Sequence, residues 1–519
     1  MSYFIEQKIK DHVYVYEVQA YWDKDKQQAR QKRKYIGKKD ISTGEVTTPH
    51  KSILPRTVCG YGINYVLDQI AADIGLKKLL KKHFGVDGGN QIMAFLYFKI
   101  SESNPSYLFE QWSKDNYLPF TVQETRSPQL SLWMRQLSED EGCCTAFLRA
   151  WTRHHTEDHG VWFDITSVSS YGTQNNFLEW GYNRDGESLP QINLGMIMGG
   201  NSRLPLSYEV YPGSISDVAT LKNTVLKQKA WRSKIKTFIL DRGFYSASNI
   251  ELMYKEGIHF VMPLPGQVKQ AQVLLNETKH ELESPLSSIL FEGEALFAVK
   301  RTYELNGQKM YATIFFDQKR YSDESMRFYK RLNEIEQYIH AGTFYNLPQV
   351  EEALESSWLG SSRYFNITFI DNNKVTLTRK RNALSWRINR MGKMILVSDQ
   401  DWNNIDLLTW YRQRDSIEKA FDLLKNELDE QRLRVHSAET MHGKLFLNFL
   451  STVLYAAMLN KISDAGLNKN YSLPEILAYL KKWRLVHLSN GKSVFTEISK
   501  KQRDILALLK ISVPVHHSY

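Results

Sequence analysis

Three carboxylates stand at positions from which they could do chemistry, and the first is Asp164. It lies in the apolar run from Val161 to Val168, where strand alternation puts Trp162, Asp164 and Thr166 on one face. An ionised carboxylate in such a strand is costly to desolvate unless a divalent metal, a salt bridge or water at the strand end compensates it. Taken alone, Asp164 is explained as well by a structural role as by a functional one.

The second carboxylate, Asp241, ends the strand-like segment that starts at Thr237, and Arg242 and Gly243 follow it. Sheets of α/β proteins commonly bind ligands at such strand ends. An Asp that caps the following turn would produce the same pattern. For this segment alone the two explanations are equally good.

The third carboxylate, Glu418, lies in a segment of helical periodicity. At about 100° per residue, four polar side chains of one helix would fall within an arc of about 60°: Tyr411, Arg414, Glu418 and Lys425. An apolar stripe beside that arc would bury the helix against a sheet and leave the polar side chains at its margin. An ordinary amphipathic helix with a charged face is the alternative, and for the helix alone it is the better explanation.

The elements around these carboxylates predict an α/β architecture. Residues 160–262 indicate strands separated by turns, with a helix that begins near Ser216 before the fourth strand, which makes a mixed sheet with a crossover. Residues 266–400 carry further strand-like runs around a helical stretch and predict an inserted, β-rich module. After Asp401 the pattern is mostly helical.

The N-terminal third has a different pattern. Residues 13–36 predict a hairpin whose turn is rich in Lys, Arg and Gln. A solvated turn is the simpler explanation of those charges, and a DNA-backbone contact is the sharper one. Residues 57–155 have helical spacing and predict a small helical domain, a type that often binds DNA when its surface is basic.

Composition narrows the class of protein and its compartment. The chain has 67 Lys and Arg against 57 Asp and Glu, a formal net charge of +10 that weakly favours a polyanionic partner. Its three cysteines show neither a disulfide framework nor metal spacing, which fits a reducing cytosol. The most apolar stretch, Leu445 to Leu459, predicts a buried helix. We therefore expect a cytoplasmic protein with no membrane partner.

Read together, these segments resemble the insertion-sequence transposases of the DDE class, in the branch marked by a Tyr-x2-Arg-x3-Glu-x6-Lys signature. The four signature residues are present at every required spacing: Tyr411, Arg414, Glu418 and Lys425. The segment from Asp241 to Ser246 is similar to the second-aspartate motif of that branch, and the segment from Phe163 to Ser167 is similar to the first. The resemblance covers roughly residues 160–435, including a long insertion before the glutamate.

This resemblance implies a ribonuclease H-like core with the first Asp on the central strand, the second on an adjacent strand and the Glu on a later helix. We expect an α/β multidomain fold with a ribonuclease H-like mixed-sheet core interrupted by a β-rich insertion, an N-terminal β-hairpin and helical DNA-binding region, and a helical C-terminus. The predicted domains are a basic β-hairpin region at 1–55, a helical DNA-binding domain at 56–155, the catalytic core at 156–265 plus 401–435, the β-rich insertion at 266–400 and a helical C-terminal region at 436–519.

The same resemblance implies a cut-and-paste DNA transposase. Asp164, Asp241 and Glu418 would be the catalytic residues and would hold two Mg²⁺ ions, for which Mn²⁺ can substitute, with Asp164 in the bridging position. Water would cleave at a transposon end and free a 3′-OH that later attacks target DNA. The expected partners are the inverted repeats at the transposon ends, the target DNA and a second copy of the chain.

Further residues are expected to contact DNA: Tyr411, Arg414, Lys425, Arg242 and Trp386. An Arg can clamp a phosphate with two hydrogen bonds, whereas a Lys acts as a point charge. Trp386 would stack on an extruded base, although a buried core Trp is the simpler explanation.

Three alternatives remain open at this point. A ribonuclease H-like nuclease that cuts without joining would share the carboxylates. A domesticated, non-catalytic DNA-binding protein would have no need to keep all three of them. A glycosidase that uses two carboxylates fits poorly with the basic balance of the chain.

Overall fold

The computed structural model describes residues 2–24, 26–48, 54–102, 105–155, 160–172, 175–370, 374–428, 432–435 and 437–514. They form two compact units. The smaller unit holds the described residues up to Cys59 with Trp483–Glu497 and Pro514, and the larger holds Gly60–Lys482 and Ile498–Val513. The division into five domains stays a prediction.

The strands and helices of the described residues have the following bounds. The strands are β1 (Ser2–Ile9), β2 (His12–Asp23), β3 (Gln28–Lys39), β4 (Val46–Thr47), β5 (Pro55–Gly60), β6 (Val161–Ser169), β7 (Gln191–Gly199), β8 (Pro205–Pro212), β9 (Thr237–Leu240), β10 (His259–Pro263), β11 (Ser288–Phe291), β12 (Glu294–Leu305), β13 (Gln308–Phe316), β14 (Phe365–Ile370), β15 (Lys374–Arg379), β16 (Lys393–Ser398), β17 (Arg484–Leu488) and β18 (Ser493–Phe495). The helices are α1 (Gly62–Asp73), α2 (Leu76–Ser101), α3 (Phe109–Asp115), α4 (Ser127–Glu139), α5 (Glu141–His155), α6 (Asp217–Ala230), α7 (Ala247–Glu256), α8 (Lys269–Glu277), α9 (Lys279–Leu282), α10 (Gln318–Ala341), α11 (Leu347–Ser357), α12 (Arg381–Ile388), α13 (Asn404–Arg412), α14 (Asp415–Asp422), α15 (Ala438–Asp464), α16 (Leu473–Lys481) and α17 (Lys500–Leu508).

The smaller unit is built of strands. β1, β2, β3 and β4 form an antiparallel sheet in that order, and β18, β17 and β5 form another. The predicted hairpin is present as β2 and β3, but its strands are longer than expected, and most of the basic residues lie on β3 rather than in the turn. β3 is almost entirely exposed, so long cationic side chains can alternate along it without being desolvated.

The larger unit is organised around one mixed sheet with the strand order β11-β12-β13-β16-β10-β9-β6-β7-β8. β6, β9 and β10 run parallel, whereas β7 and β8 continue outward from β6 as antiparallel neighbours. α6 links β8 to β9, and α7 makes the crossover between β9 and β10. The predicted mixed sheet with a crossover is confirmed.

β6 divides its side chains between two apolar cores. Val161, Phe163 and Ile165 belong to the core that packs against α6, α7 and α8. Trp162 belongs to the core on the opposite face, which contains residues of α13 and α14. Because side chains alternate along a strand, Asp164 projects on the same face as Trp162, toward α14.

The segment predicted as a β-rich insertion contributes to the main sheet. β16 pairs antiparallel with β10, and β13, β12 and β11 extend the sheet from there. Only β14 and β15 form a separate two-stranded ribbon among the described residues 266–370 and 374–400. The long helix α10 packs with α11 and this ribbon around a satellite core that includes Phe328, Leu332 and Val350. The segment is therefore mixed α/β.

The long helix α15 lies among other helices of the larger unit. This helix is long and apolar enough by length and composition to cross a membrane, but 83% of its most apolar stretch is buried inside the structure. It packs against α4, α2 and α1, so the predicted buried helix is a core helix. The C-terminal region, predicted to be helical, also contains β17 and β18, which pair with β5 across hundreds of residues of sequence.

Gly443 permits the close approach of α15 to α4. A Cβ at this position would stand 1.8 Å from the carbonyl oxygen of Met134, so the helices would have to move apart. We expect Gly443→Ala to lower the free energy of unfolding by about 1–3 kcal/mol in a urea titration. The control is Gly142→Ala in α5, where a Cβ meets nothing within 4 Å. It should stabilise the protein by about 0.5–1 kcal/mol, and equal losses in both variants would contradict this packing.

Candidate active site

Asp164, in the middle of β6, and Asp241, directly after the end of β9, lie side by side on neighbouring parallel strands. The register between β6 and β9 pairs Phe163 with Leu240, and the two aspartates are the next residues on their strands. Neighbouring strands lie about 4.8 Å apart. Asp241 follows Ile239 by two residues, so the two side chains project from the same face of the sheet. Ile239 packs with Trp162 in the core beside α14. The side chains of Asp164 and Asp241 therefore both project toward that helix.

Burial imposes an electrostatic cost on the ionised form of Asp164. Its Oδ1 accepts a hydrogen bond from the backbone N–H of Ile165 at 2.8 Å, and its Oδ2 accepts one from Arg414 at 3.3 Å. Burial raises the pKa of Asp164 to about 6, with the neighbouring charge of Asp241 adding to the rise. The hydrogen bond from Ile165 and the positive charges of Arg414 and Arg184 oppose it.

Arg414 joins the first and third carboxylates. Its guanidinium is 3.3 Å from Asp164 and 2.5 Å from Glu418, and its side chain is only 15% exposed. It also lies over the ring of Tyr411, 5.8 Å from the centroid. Burial raises the pKa of Tyr411 to about 12, while Arg414 opposes that rise. Arg414 therefore contacts both Tyr411 and Glu418 as well as Asp164.

The segment with the signature residues is not the continuous α-helix that its periodicity predicted. α13 and α14 meet at Arg414, whose N–H donates to the carbonyl of Tyr411 at 3.1 Å, while Ile417 N–H donates to Arg414 at 3.0 Å. These i to i−3 bonds form a tight 3₁₀-type junction. After α14 the chain makes a π-helical turn that contains Lys425. Both irregularities change the rotation per residue, so the calculated arc does not apply to Lys425.

Lys425 is paired with a carboxylate that the sequence did not single out. Its Nζ lies 2.6 Å and 2.9 Å from the two oxygens of Asp185, and its side chain is only 11% exposed. The nearby Arg432 pairs with Glu187 at 2.7 Å and lies over the ring of Tyr171. Two carboxylates in the turn after β6, Asp185 and Glu187, thus pair with two cations that follow α14.

That turn is held firmly against the end of β6. The side-chain amide of Asn183 donates a hydrogen bond to the Ser169 hydroxyl at 3.0 Å. The guanidinium of Arg184 donates to the Ser167 hydroxyl at 3.3 Å and to the Asp217 carboxylate at 2.5 Å. Sequence reasoning missed Arg184 and its neighbours because turns have no periodicity. The only available signal was the run of charged residues around Gly186.

Two further predicted DNA contacts lie apart from this cluster. Arg242 directly follows Asp241 in a 3₁₀ turn and is exposed. Trp386 lies on α12, 38% exposed, with the Arg390 guanidinium 4.2 Å from its ring centroid. Trp386 is therefore not the buried core Trp that was the simpler explanation, and neither residue has a described hydrogen bond or ion pair to the three carboxylates.

The three carboxylates are chemically suited to a hard divalent cation, but they do not lie close enough together to form a metal centre. Asp164, Asp241 and Glu418 supply carboxylate oxygens, the ligands that Mg²⁺ and Mn²⁺ prefer. Within the part of the chain that the structure describes, no group of three or more His, Cys, Asp or Glu side chains is close enough together to hold a metal ion. Arg414 stands between Asp164 and Glu418 and supplies the positive charge there.

The raised pKa of Asp164 gives a prediction with a definite sign. A carboxylate whose folded pKa is raised from 3.8 to about 6 destabilises the protein once it ionises, so this cost is absent near pH 4 and complete above pH 6. In metal-free buffer at pH 7.5, Asp164→Asn should therefore raise the free energy of unfolding, by at most about 3 kcal/mol. The gain should vanish near pH 4.

The control for this measurement is Asp401→Asn, whose side chain is 60% exposed. Removing it should change stability by less than about 0.5 kcal/mol at either pH. A stability gain for Asp164→Asn that did not depend on pH would contradict the electrostatic origin of the effect.

Comparison with known proteins gives a family. A family model described as a transposase DDE domain matches residues 155–454, more than half of the chain. A solved structure, the piggyBac transposase synaptic complex with hairpin DNA, is similar with a TM-score of 0.36 and 9% sequence identity, over 81% of this chain and 77% of that chain. No curated protein matches the sequence. The chain belongs to the DDE transposase family. It is a DNA transposase, an enzyme that cleaves DNA and transfers the cut strand to another DNA.

Proposed function

We propose that Asp164, Asp241 and Glu418 are the catalytic carboxylates of a cut-and-paste transposase. The observation that carries this proposal is the adjacency of the two aspartates on parallel strands, facing the helix that bears Glu418. Arg414 bonds to the first and third of these carboxylates, which gives the cluster a shared counter-charge. A purely structural role for Asp164 would not require a second carboxylate beside it.

We further propose a ribonuclease H-like core. The strand order β8-β7-β6-β9-β10, with β9 and β10 parallel to β6 and β7 antiparallel to it, supports this assignment. In the ribonuclease H-like fold that the family resemblance implies, the first Asp lies on the central strand and the second on an adjacent strand. Asp164 on β6 and Asp241 at the end of β9 have that relation.

The three carboxylates are proposed to hold two Mg²⁺ ions, with Mn²⁺ as a substitute. When bound, such ions activate water and relieve the negative charge that develops on the phosphate. Burial makes Asp164 a costly anion in their absence, so a cation is favoured at this position. Arg414 partly fills that need through its bonds to Asp164 and Glu418.

Residues around the carboxylates are proposed to position the DNA. Tyr411 and Arg414 lie within the cluster and would contact the phosphate that is cut. Lys425 would contact a neighbouring phosphate after exchanging its present partner, Asp185. Arg242 and Trp386 are exposed and would contact DNA further from the cut.

The wider assembly is also part of the proposal. The N-terminal hairpin and helical region would bind the inverted repeats at the transposon ends. Two copies of the chain would hold two ends together before attack on target DNA. The formal net charge of +10 supports binding to several DNA segments.

The proposal is tested with a duplex that carries the DNA flanking the gene, in Mg²⁺. Asp164→Asn, Asp241→Asn and Glu418→Gln should each lower cleavage and strand transfer by at least about 100-fold, because each removes an anionic oxygen ligand. DNA binding should remain, since the substitutions remove no cation. Cleavage and joined products are measured on sequencing gels.

Asp401→Asn is the matched control, because it removes an exposed carboxylate near the same sheet and should leave cleavage unchanged. Normal cleavage by any of the three variants would remove that residue from the site. Cleavage without joined products in the unaltered protein would instead favour a nuclease.

A further inference from the structure

Two lysines of the larger unit are almost completely buried, which is an uncommon position for an ammonium group. Lys99, in the last turn of α2, is 2% exposed, and Lys444, on α15, is 8% exposed. Both line a cavity of about 370 Å³. Burying an ammonium group costs much more than burying a neutral hydrogen-bond donor. A buried lysine is therefore expected to bond to a group that its positive charge stabilises.

Lys99 bonds to the end of the helix that carries the signature residues. Its Nζ donates to the carbonyl oxygen of Leu428 at 2.8 Å. The π turn after α14 ends at Leu428, whose own N–H donates to the carbonyl of Leu423 at 3.0 Å. Carbonyl groups at the end of a helix lack helical partners and carry its partial negative charge. Lys99 therefore supplies a donor and a positive charge at the C-terminal end of this turn.

The turn that Lys99 caps is also the turn that carries Lys425. The π turn spans Leu423–Glu427, and Lys425 extends from it to Asp185, with its Nζ 2.6 Å from the carboxylate. A π turn is a rare geometry that needs support from its surroundings. The α-helical alternative has a different rotation per residue and would direct Lys425 elsewhere. The bond at Leu428 is thus placed to decide where Lys425 points.

Lys444 makes the same kind of bond to a different segment. Its Nζ donates to the carbonyl oxygen of Leu433 at 2.7 Å. The N–H of Leu433 donates to the carbonyl of Ser169, the last residue of β6, at 3.1 Å. Lys99 and Lys444 therefore share their burial and their chemistry but hold different segments, the π turn in one case and a contact with the sheet in the other.

We propose that Lys99 is a positioning residue for Lys425: its bond to the carbonyl of Leu428 holds the π turn in the geometry that places Lys425 beside Asp185. Lys99 acts through Lys425 and is not itself a catalytic residue. Its importance for the reaction rests on the proposed function, in which Lys425 exchanges Asp185 for a phosphate of the DNA.

The first measurement is the acetylation rate of Lys425 in DNA-free protein, determined by mass spectrometry relative to that of Lys319, whose side chain is 74% exposed. Lys99→Met keeps an unbranched side chain but removes the ammonium group. Loss of a hydrogen bond from a charged group should raise the relative rate about tenfold. Lys444→Met is the matched control and should leave the rate at Lys425 unchanged. Lys99→Arg keeps the cation, the adjoining cavity has room for it, and the rate should stay near that of the unaltered protein.

Both contrary results of this measurement are decisive. An equal rise in Lys99→Met and Lys444→Met would indicate a general loosening of the protein, and no rise in Lys99→Met would show that the turn does not depend on Lys99. Either result overturns the inference. If Lys99→Met does not fold, Lys99→Gln, which retains a neutral donor on a shorter side chain, takes its place with the same expected rise.

The second measurement is DNA cleavage in Mg²⁺, with Lys425→Ala as the background. Lys99→Met should lower the cleavage rate about tenfold in the otherwise unaltered protein. It should have no further effect in Lys425→Ala, because the bond acts through Lys425. Additive losses in the double variant would overturn the inference. Failure of the proposed function is distinguishable: the unaltered protein would not cleave DNA, while the rise in acetylation at Lys425 would still support the positioning role of Lys99.

Discussion

The electrostatic cost of placing two aspartates side by side in a buried sheet is the constraint on which the rest of the site depends. Asp164 and Asp241 stand on adjacent parallel strands, and burial together with mutual repulsion raises the pKa of Asp164 to about 6. The parallel register of β6 and β9 pairs Phe163 with Leu240, so the topology places the next residues, Asp164 and Asp241, beside each other. The 3₁₀ junction between α13 and α14 then brings Arg414 to Asp164 and leaves Glu418 on the outer side of the guanidinium. The sheet concentrates negative charge and the broken helix brings the counter-charge.

Pairing of cations with carboxylates continues beyond the three site carboxylates. Lys425 and Arg432 are matched by Asp185 and Glu187 on a turn that is bonded to the end of β6. DNA that approaches this surface would exchange carboxylate partners for phosphates, so the exchange involves little net desolvation of the cations. Hydrogen bonds from Asn183 to Ser169 and from Arg184 to Ser167 attach the turn to the strand that carries Asp164. With the proposed DNA contact of Lys425, protein stability and DNA affinity would be linked through the same ion pairs.

Local patterns in the sequence predicted the local features of the site well. The alternation of β6 placed Asp164 on the face of Trp162, which is where the structure has it, and the signature spacing marked the segment that approaches it. Pairings across long sequence distances were not predictable. The strands after residue 288 join the main sheet through β16 and β10, and nothing in their own patterns specifies that partner. The 3₁₀ junction and the π turn were missed because a periodicity argument assumes a regular helix, and Asp185 was missed because turns carry no period.

Iron-mediated cleavage of the polypeptide tests most directly whether the three carboxylates bind a cation together. Fe²⁺ substitutes for Mg²⁺ at carboxylate sites, and with ascorbate and peroxide it cuts the backbone next to the bound ion. We expect fragments that end near Asp164, Asp241 and Glu418 in the unaltered protein, and we expect them to be suppressed by excess Mg²⁺ and absent in Asp241→Asn. Cuts confined to other segments, or an unchanged pattern in Asp241→Asn, would contradict the claim that these three carboxylates form one cation-binding centre.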